Sequence, residues 1–262
     1  MRSRRRWQLW GALIALSAVG PPPASAQSPG QAAGQPPDAT EAEADEDAAA
    51  GLVGAVELAM FSGYYYRGGD EFGGTFNLQP TLTLGWALPR AELDLELWGA
   101  FPLHDRAALR DVRDEVDVTL SATVAAGERL ELYAGLRLSF VPADGADPYT
   151  EILLGADWEI GAGFGLWGEA TFALESETGV YFALGPAWSG ALGRAFELEL
   201  RAGFGGTRYR GDVLRAVEVL ADATLTADLG AGFEAAFSAV YAYNPSARAD
   251  VGSVGFALGY GW

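Results

Sequence analysis

Carboxylates dominate the residues of this chain that could do chemistry. Glu92, Asp94 and Glu96 recur at i, i+2 and i+4. On an extended strand that spacing puts all three on one face, where they could hold a divalent cation. No glycine-turn loop or histidine accompanies them, so a dedicated metal site is not expected and any metal there is adventitious. The single histidine, His104, stands beside Asp105. Covalent catalysis needs a nucleophile and a base within hydrogen-bond reach, and no G-x-S-x-G or similar motif is present. His104 therefore reads as a loop residue, no catalytic residue or cofactor is assigned, and the chain is not expected to be an enzyme. The chain lacks cysteine, which excludes a disulfide scaffold, a thiolate metal site and a cysteine nucleophile. All 17 basic residues are arginine, and the net charge is −18. That balance argues against nucleic acid as a partner, because phosphate contacts need clustered cations.

The elements that must position these acids are strands. From Gly51 onward apolar and polar residues alternate with a period of two, which a strand sorts into two faces and a helix scrambles. Phe76, Leu78, Pro80, Leu82, Leu84, Trp86 and Leu88 share one face, and Asn77, Gln79, Thr81, Thr83, Gly85 and Ala87 share the other. The same pattern predicts twelve segments. They run roughly over 55–67, 75–88, 91–103, 115–126, 129–141, 150–160, 164–175, 179–189, 195–207, 215–229, 232–243 and 251–262, with ends good to about two to four residues. Tight turns such as Pro89-Arg90, Gly127-Glu128, Gly161-Ala162-Gly163 and Gly230-Ala231 alternate with longer polar loops.

This pattern predicts an all-β, 12-stranded antiparallel transmembrane barrel of outer-membrane type. A soluble sandwich or lipocalin also alternates, but its strands are shorter. Here most segments reach roughly 11 to 14 residues, enough for a tilted membrane crossing. Aromatic residues also sit at fixed heights. Trp86, Trp158, Trp188 and Trp262 lie on the apolar face at one end, with Phe164, Phe196 and Phe233. Tyr64, Tyr66, Phe76, Phe101, Phe140, Phe172, Phe182, Phe204, Tyr241 and Tyr243 gather at the other. Two such girdles around a Leu/Val/Ala band suit a surface facing outer-membrane lipid. The last strand alternates up to Tyr260 and Trp262, and its aromatic end resembles the signal read by the barrel-assembly machinery.

Residues 1–26 read as a cleavable signal peptide: Arg2, Arg4, Arg5 and Arg6, then Leu9 to Val19, then Ala24-Ser25-Ala26. Its removal would leave 13 arginines against 35 acids, a net charge of −22. Residues 27–50 form an acidic Pro/Ala-rich linker with almost no large apolar side chain. Such a stretch cannot offset its ordering entropy by burial, so a solvated tail is expected. The barrel proper is assigned to 51–262, in the cell outer membrane.

The face opposite the apolar band is strongly acidic. By phase it carries Glu57, Glu92, Asp94, Glu96, Glu115, Asp117, Glu131, Glu151, Asp157, Glu159, Glu169, Glu175, Glu197, Glu199, Glu218, Asp222, Asp228 and Glu234. Against these stand mainly Arg137 and Arg201, with Arg129 near a turn. Ions in a dry interior must be paired or neutralised, so this density implies water inside. Two readings of the wall carry equal weight: a cation-preferring path, and a solvated wall without a transport role. Tyr65, Trp98, Tyr133, Trp167 and Tyr181 also point inward, to line a constriction or simply to fill a narrow barrel.

Several short motifs carry a family resemblance. They are Tyr64-Tyr65-Tyr66-Arg67-Gly68, Leu78-Gln79-Pro80, Leu95-Glu96-Leu97-Trp98, Glu115-Val116-Asp117 and Tyr149-Thr150-Glu151. Together they resemble the small porin family of Gram-negative bacteria that includes the TorF-type group. The family's usual acid before the first tyrosine is Gly63 here. The resemblance implies an outer-membrane barrel with a channel role and supplies no substrate. The expected function is passive diffusion of small cationic or neutral solutes. A non-conducting structural or surface-interaction barrel is the alternative, and a lipid-modifying enzyme a more distant one.

Overall fold

The computed structural model describes residues 51–66, 69–70, 74–88, 91–103, 114–141, 148–174, 179–208, 215–245 and 248–262. The signal segment 1–26, the linker 27–50, the Pro89-Arg90 turn, His104, Asp105 and Glu175 lie outside the described residues. Among the described residues the barrel strands are β1 (Gly51–Phe61), β4 (Asn77–Ala87), β5 (Ala91–Pro102), β6 (Glu115–Ala125), β7 (Leu130–Phe140) and β8 (Tyr149–Gly161). They continue with β9 (Phe164–Ala173), β10 (Val180–Ala191), β11 (Phe196–Arg208), β12 (Arg215–Gly230), β13 (Phe233–Asn244) and β14 (Ala249–Gly261). A two-residue pair, β2 (Tyr65–Tyr66) and β3 (Gly69–Asp70), forms its own small ladder between β1 and β4.

Each barrel strand pairs antiparallel with its sequence neighbour, and β1 pairs with β14, so the sheet is a closed twelve-stranded barrel. Closure leaves no open edge, the condition a sheet in lipid must meet. The seam is tied at both ends. At one end the Trp262 N–H donates to the Gly54 carbonyl at 3.0 Å and the Gly54 N–H donates to the Trp262 carbonyl at 3.2 Å. The Trp262 ring lies where a Gly54 side chain would otherwise project. At the other end the Ser62 N–H donates to the Val254 carbonyl at 2.9 Å, and the Val254 N–H donates to Ser62 Oγ at 2.9 Å.

Strand ends fall close to the sequence expectation except in the first strand, expected over 55–67. It starts at Gly51, because residues 51–54 continue the ladder with β4. It stops at Phe61 because Ser62-Gly63-Tyr64 leaves the ladder. That break reverses the phase. Tyr64, expected in an outer girdle, is 1% exposed, with its ring centroid 5.6 Å from that of Trp98. The Tyr65 and Tyr66 side chains lie outside the described ones.

The outer surface is a continuous apolar belt. Leu82, Leu95, Leu120, Leu136, Leu154, Leu200 and Phe237 are exposed in mid-strand, a patch far larger than soluble monomers carry. Trp86, Trp158, Trp262, Phe164, Phe196 and Phe233 are exposed at the short-turn end. Trp188 is half-buried there, its ring 6.5 Å from that of Phe164. Phe76, Phe140, Phe204, Tyr241 and Tyr243 are exposed at the long-loop end.

Candidate pore lining

Cross-strand register decides which side chains meet inside, since directly paired residues share a face. In the half nearer the short turns, Glu92 pairs with Thr123, Asp94 with Ser121 and Glu96 with Thr119. Glu131 pairs with Asp157, and Glu159 with Gly165. Glu197 and Glu199 pair with Thr226 and Thr224, and Asp228 with Glu234. Most of these partners are small or hydroxylated, but Glu131–Asp157 and Asp228–Glu234 set two carboxylates directly opposite each other. Glu92, Asp94, Glu96, Glu131, Glu159, Glu197, Glu199 and Glu234 are half-buried and Asp228 is exposed, whereas Asp157 is buried.

Among the described residues Arg201 is the mid-strand cation of this half, while Arg129 stays at the turn and donates to the Ile160 carbonyl at 3.5 Å. Arg201 pairs across the ladder with Asp222, and its Nε donates to Glu199 Oε1 at 2.5 Å. Its guanidinium carbon sits 6.0 Å from the Trp167 ring centroid, within cation–π reach. Trp167 is held by donating its Nε1–H to the Ala202 carbonyl at 3.2 Å. Its ring occupies the space that a side chain at Gly203 would need.

The half nearer the long loops is packed differently. Arg137 is 5% exposed, and its guanidinium bonds to Glu151, with Nε donating to Oε2 at 3.0 Å. Arg137 Nη1 lies 3.7 Å from Asp117 Oδ2. Both acids are buried, Asp117 at 3% and Glu151 at 1% exposure. Glu115, beside them, accepts the Tyr149 hydroxyl hydrogen at 3.1 Å. Buried Glu218 accepts from the Tyr181 hydroxyl. Glu169 is buried opposite Ala183 and Gly155. Phe61, Tyr64, Trp98 and Tyr181 fill the space between these groups, all 3% exposed or less.

The inward face thus holds two unlike zones: a half-open acidic wall around Arg201, and a dry, paired and aromatic zone around Arg137. The sequence places the acids on this face but not their partners. It also misses Phe61 and Tyr64 as filling residues. Phe61 carried a signal, the unbroken period from Glu57, whereas Tyr64 did not, because a break in a strand cannot be read from its period. Tyr133 points inward over Gly155. Among the described residues, no group of three or more His, Cys, Asp or Glu is arranged to hold a metal.

No protein-family model matches the sequence, and no curated protein matches it. Solved structures do match the fold. An outer membrane channel from Pseudomonas putida F1 superposes with a TM-score of 0.54 at 12% identity, covering 81% of this chain and 96% of that one. The NanC porin gives 0.51 at 8% identity over 79% and 97%. A bacterial polysaccharide outer membrane secretin gives 0.50 at 10% identity over 80% and 98%. This chain shares its barrel architecture with these outer-membrane proteins.

Proposed function

We propose that this protein is an outer-membrane channel for passive diffusion of small cationic or neutral solutes through an acidic lumen. The observation that carries the reading is the wall around Arg201. Glu92, Asp94, Glu131, Glu197, Glu199 and Glu234 are only half-buried, which suits ions in contact with water better than ions sealed in a core. Rings of one sign bias which ions pass. The fold shared with an outer membrane channel and a porin supports the same reading. Residues 1–26 would direct export and be removed, 27–50 would remain as a solvated periplasmic tail, and the β14 end would engage the barrel-assembly machinery. Membership of the TorF-type group rests on the sequence motifs alone.

A second reading, a non-conducting structural barrel, is favoured by one observation, the dry aromatic packing around Arg137. Planar-bilayer recording of the purified barrel separates the two. The channel reading expects discrete conductance steps; silent insertions would support the structural barrel. A phospholipid hydrolysis assay of His104→Ala against the parent tests the enzyme reading, which expects activity lost with the imidazole.

A further inference from the structure

One row of the inner wall gathers several buried polar atoms that lack a partner among the described residues. Glu57 of β1 pairs with Thr81 of β4, and Thr81 pairs with Trp98 of β5. All three side chains therefore stand side by side on the inward face. Glu57 is 7% exposed and Trp98 3%. Both carboxylate oxygens of Glu57, the Thr81 hydroxyl and the Trp98 Nε1–H are buried without a hydrogen-bond partner among the described residues. One step along β4, Gln79 is 1% exposed; its amide donates to Asn77 Oδ1 at 2.6 Å, while its Oε1 has no partner. Buried polar groups are otherwise paired almost everywhere in folded proteins. Among these atoms the unmet acceptors of Glu57 and Gln79 mark a place where an outside donor group completes the bonding.

The surrounding charge fixes the sign of that group. On the other flank Glu57 pairs with Gly259, which pairs with Glu234. The bare glycine leaves the two carboxylates facing across one strand. Among the described residues no arginine is paired into this stretch of the row, and Arg137 is engaged by Glu151 and Asp117. The acceptors here are the two Glu57 oxygens and Gln79 Oε1, which call for a cation with several N–H donors. A bare metal ion fits poorly, because among the described residues no three His, Cys, Asp or Glu are arranged to hold one. Phe61, Trp98 and Tyr64 supply an apolar wall suited to a short hydrocarbon stem.

We propose that the Glu57–Thr81–Trp98 row, with Gln79, is a binding subsite for primary alkylammonium ions. The ammonium head bonds to Glu57 and Gln79, and the stem lies against the aromatic side chains. This deepens the channel reading and rests on it, since such an ion must reach the interior. The test is built to separate the two. In the folded, detergent-solubilised barrel the indole N–H resonance of Trp98 is assigned by its disappearance in Trp98→Phe. It is then titrated with n-butylammonium, tetramethylammonium or magnesium chloride at matched ionic strength. The expected result is a saturable shift with n-butylammonium alone, weakened about tenfold or more in Glu57→Gln, the loss typical of a charge-assisted bond. Heat-modifiable gel mobility verifies that this near-isosteric variant is folded. An equal shift with all three salts, a shift with magnesium only, or no shift would overturn the subsite. A saturable shift in a barrel silent in bilayers would keep the subsite and remove the channel.

Discussion

The two arginines of the interior sit in unlike surroundings. Arg137 is 5% exposed between Glu151 and Asp117, which are as dry as it is. Arg201 is half-buried, bonded to half-buried Glu199 and paired with half-buried Asp222. Burial makes a lost partner costly, because the remaining charge has neither a counter-ion nor water. With side-chain exposures of 9% for Arg201 and 21% for Glu199, against 6% for Arg137 and 1% for Glu151, the same loss at Arg201 is partly relieved by water. One zone is thus a plug of paired charges and rings, and the other a wall whose carboxylates stay half-open.

The largest expected effect breaks that contrast directly. Arg137→Met strands the Glu151 and Asp117 carboxylates and should destabilise the barrel by about 3–5 kcal/mol. Arg201→Met, whose partner Glu199 is nearer water, should cost less than that. Urea unfolding in lipid bilayers, followed by tryptophan fluorescence, measures both. Adding Glu151→Gln and Asp117→Asn to Arg137→Met should recover much of the loss. Equal costs for the two arginine variants would erase the distinction between the zones.

The contrast also presupposes which face is inside. Leu82 is exposed on the apolar belt, and Leu82→Arg should cost about 2–4 kcal/mol near mid-membrane. Thr83, paired with Ala55 and Glu96, points inward, and Thr83→Arg should fold with near-normal yield. Equal yields of the two variants in lipid would contradict the assigned phase.

A smaller effect is expected at the seam. Deleting Trp262 removes two backbone hydrogen bonds to Gly54 and the ring covering it. At about 0.5–1.5 kcal/mol net per bond, the loss should lower the unfolding midpoint modestly and reduce insertion in cells. A truncated protein with unchanged midpoint and outer-membrane level would show that the Ser62–Val254 contacts suffice to hold the seam.

Strands and their inward phase are legible in the sequence because a period of two survives without knowledge of neighbours. From that period alone, Glu197, Glu199 and Asp222 go inside, Trp86 and Trp158 go outside, and most strand ends fall within a few residues of those observed. Pairing is another matter. Nothing local to Arg137 announces Glu151, which lies across a loop and is brought opposite it by register. Glu57 reads as one acid among many until the register sets it beside Thr81 and Gly259. Tyr64 misleads because two residues of irregular backbone after Phe61 turn it from the lipid side to the interior.

The central claim is that the half-open wall around Arg201 gives the lumen its preference. Reversal potential in a potassium chloride gradient tests it most directly, for wild type and for the triple variant Asp94→Asn, Glu197→Gln, Glu199→Gln. Screening reaches about 8 Å at physiological salt, so the preference should be clear at low salt and blunted at high salt. Wild type should favour potassium, and the triple variant should move toward no preference. Anion preference in wild type, or an unchanged potential in the triple variant, would contradict the account and assign control to Arg137 and the plug around it.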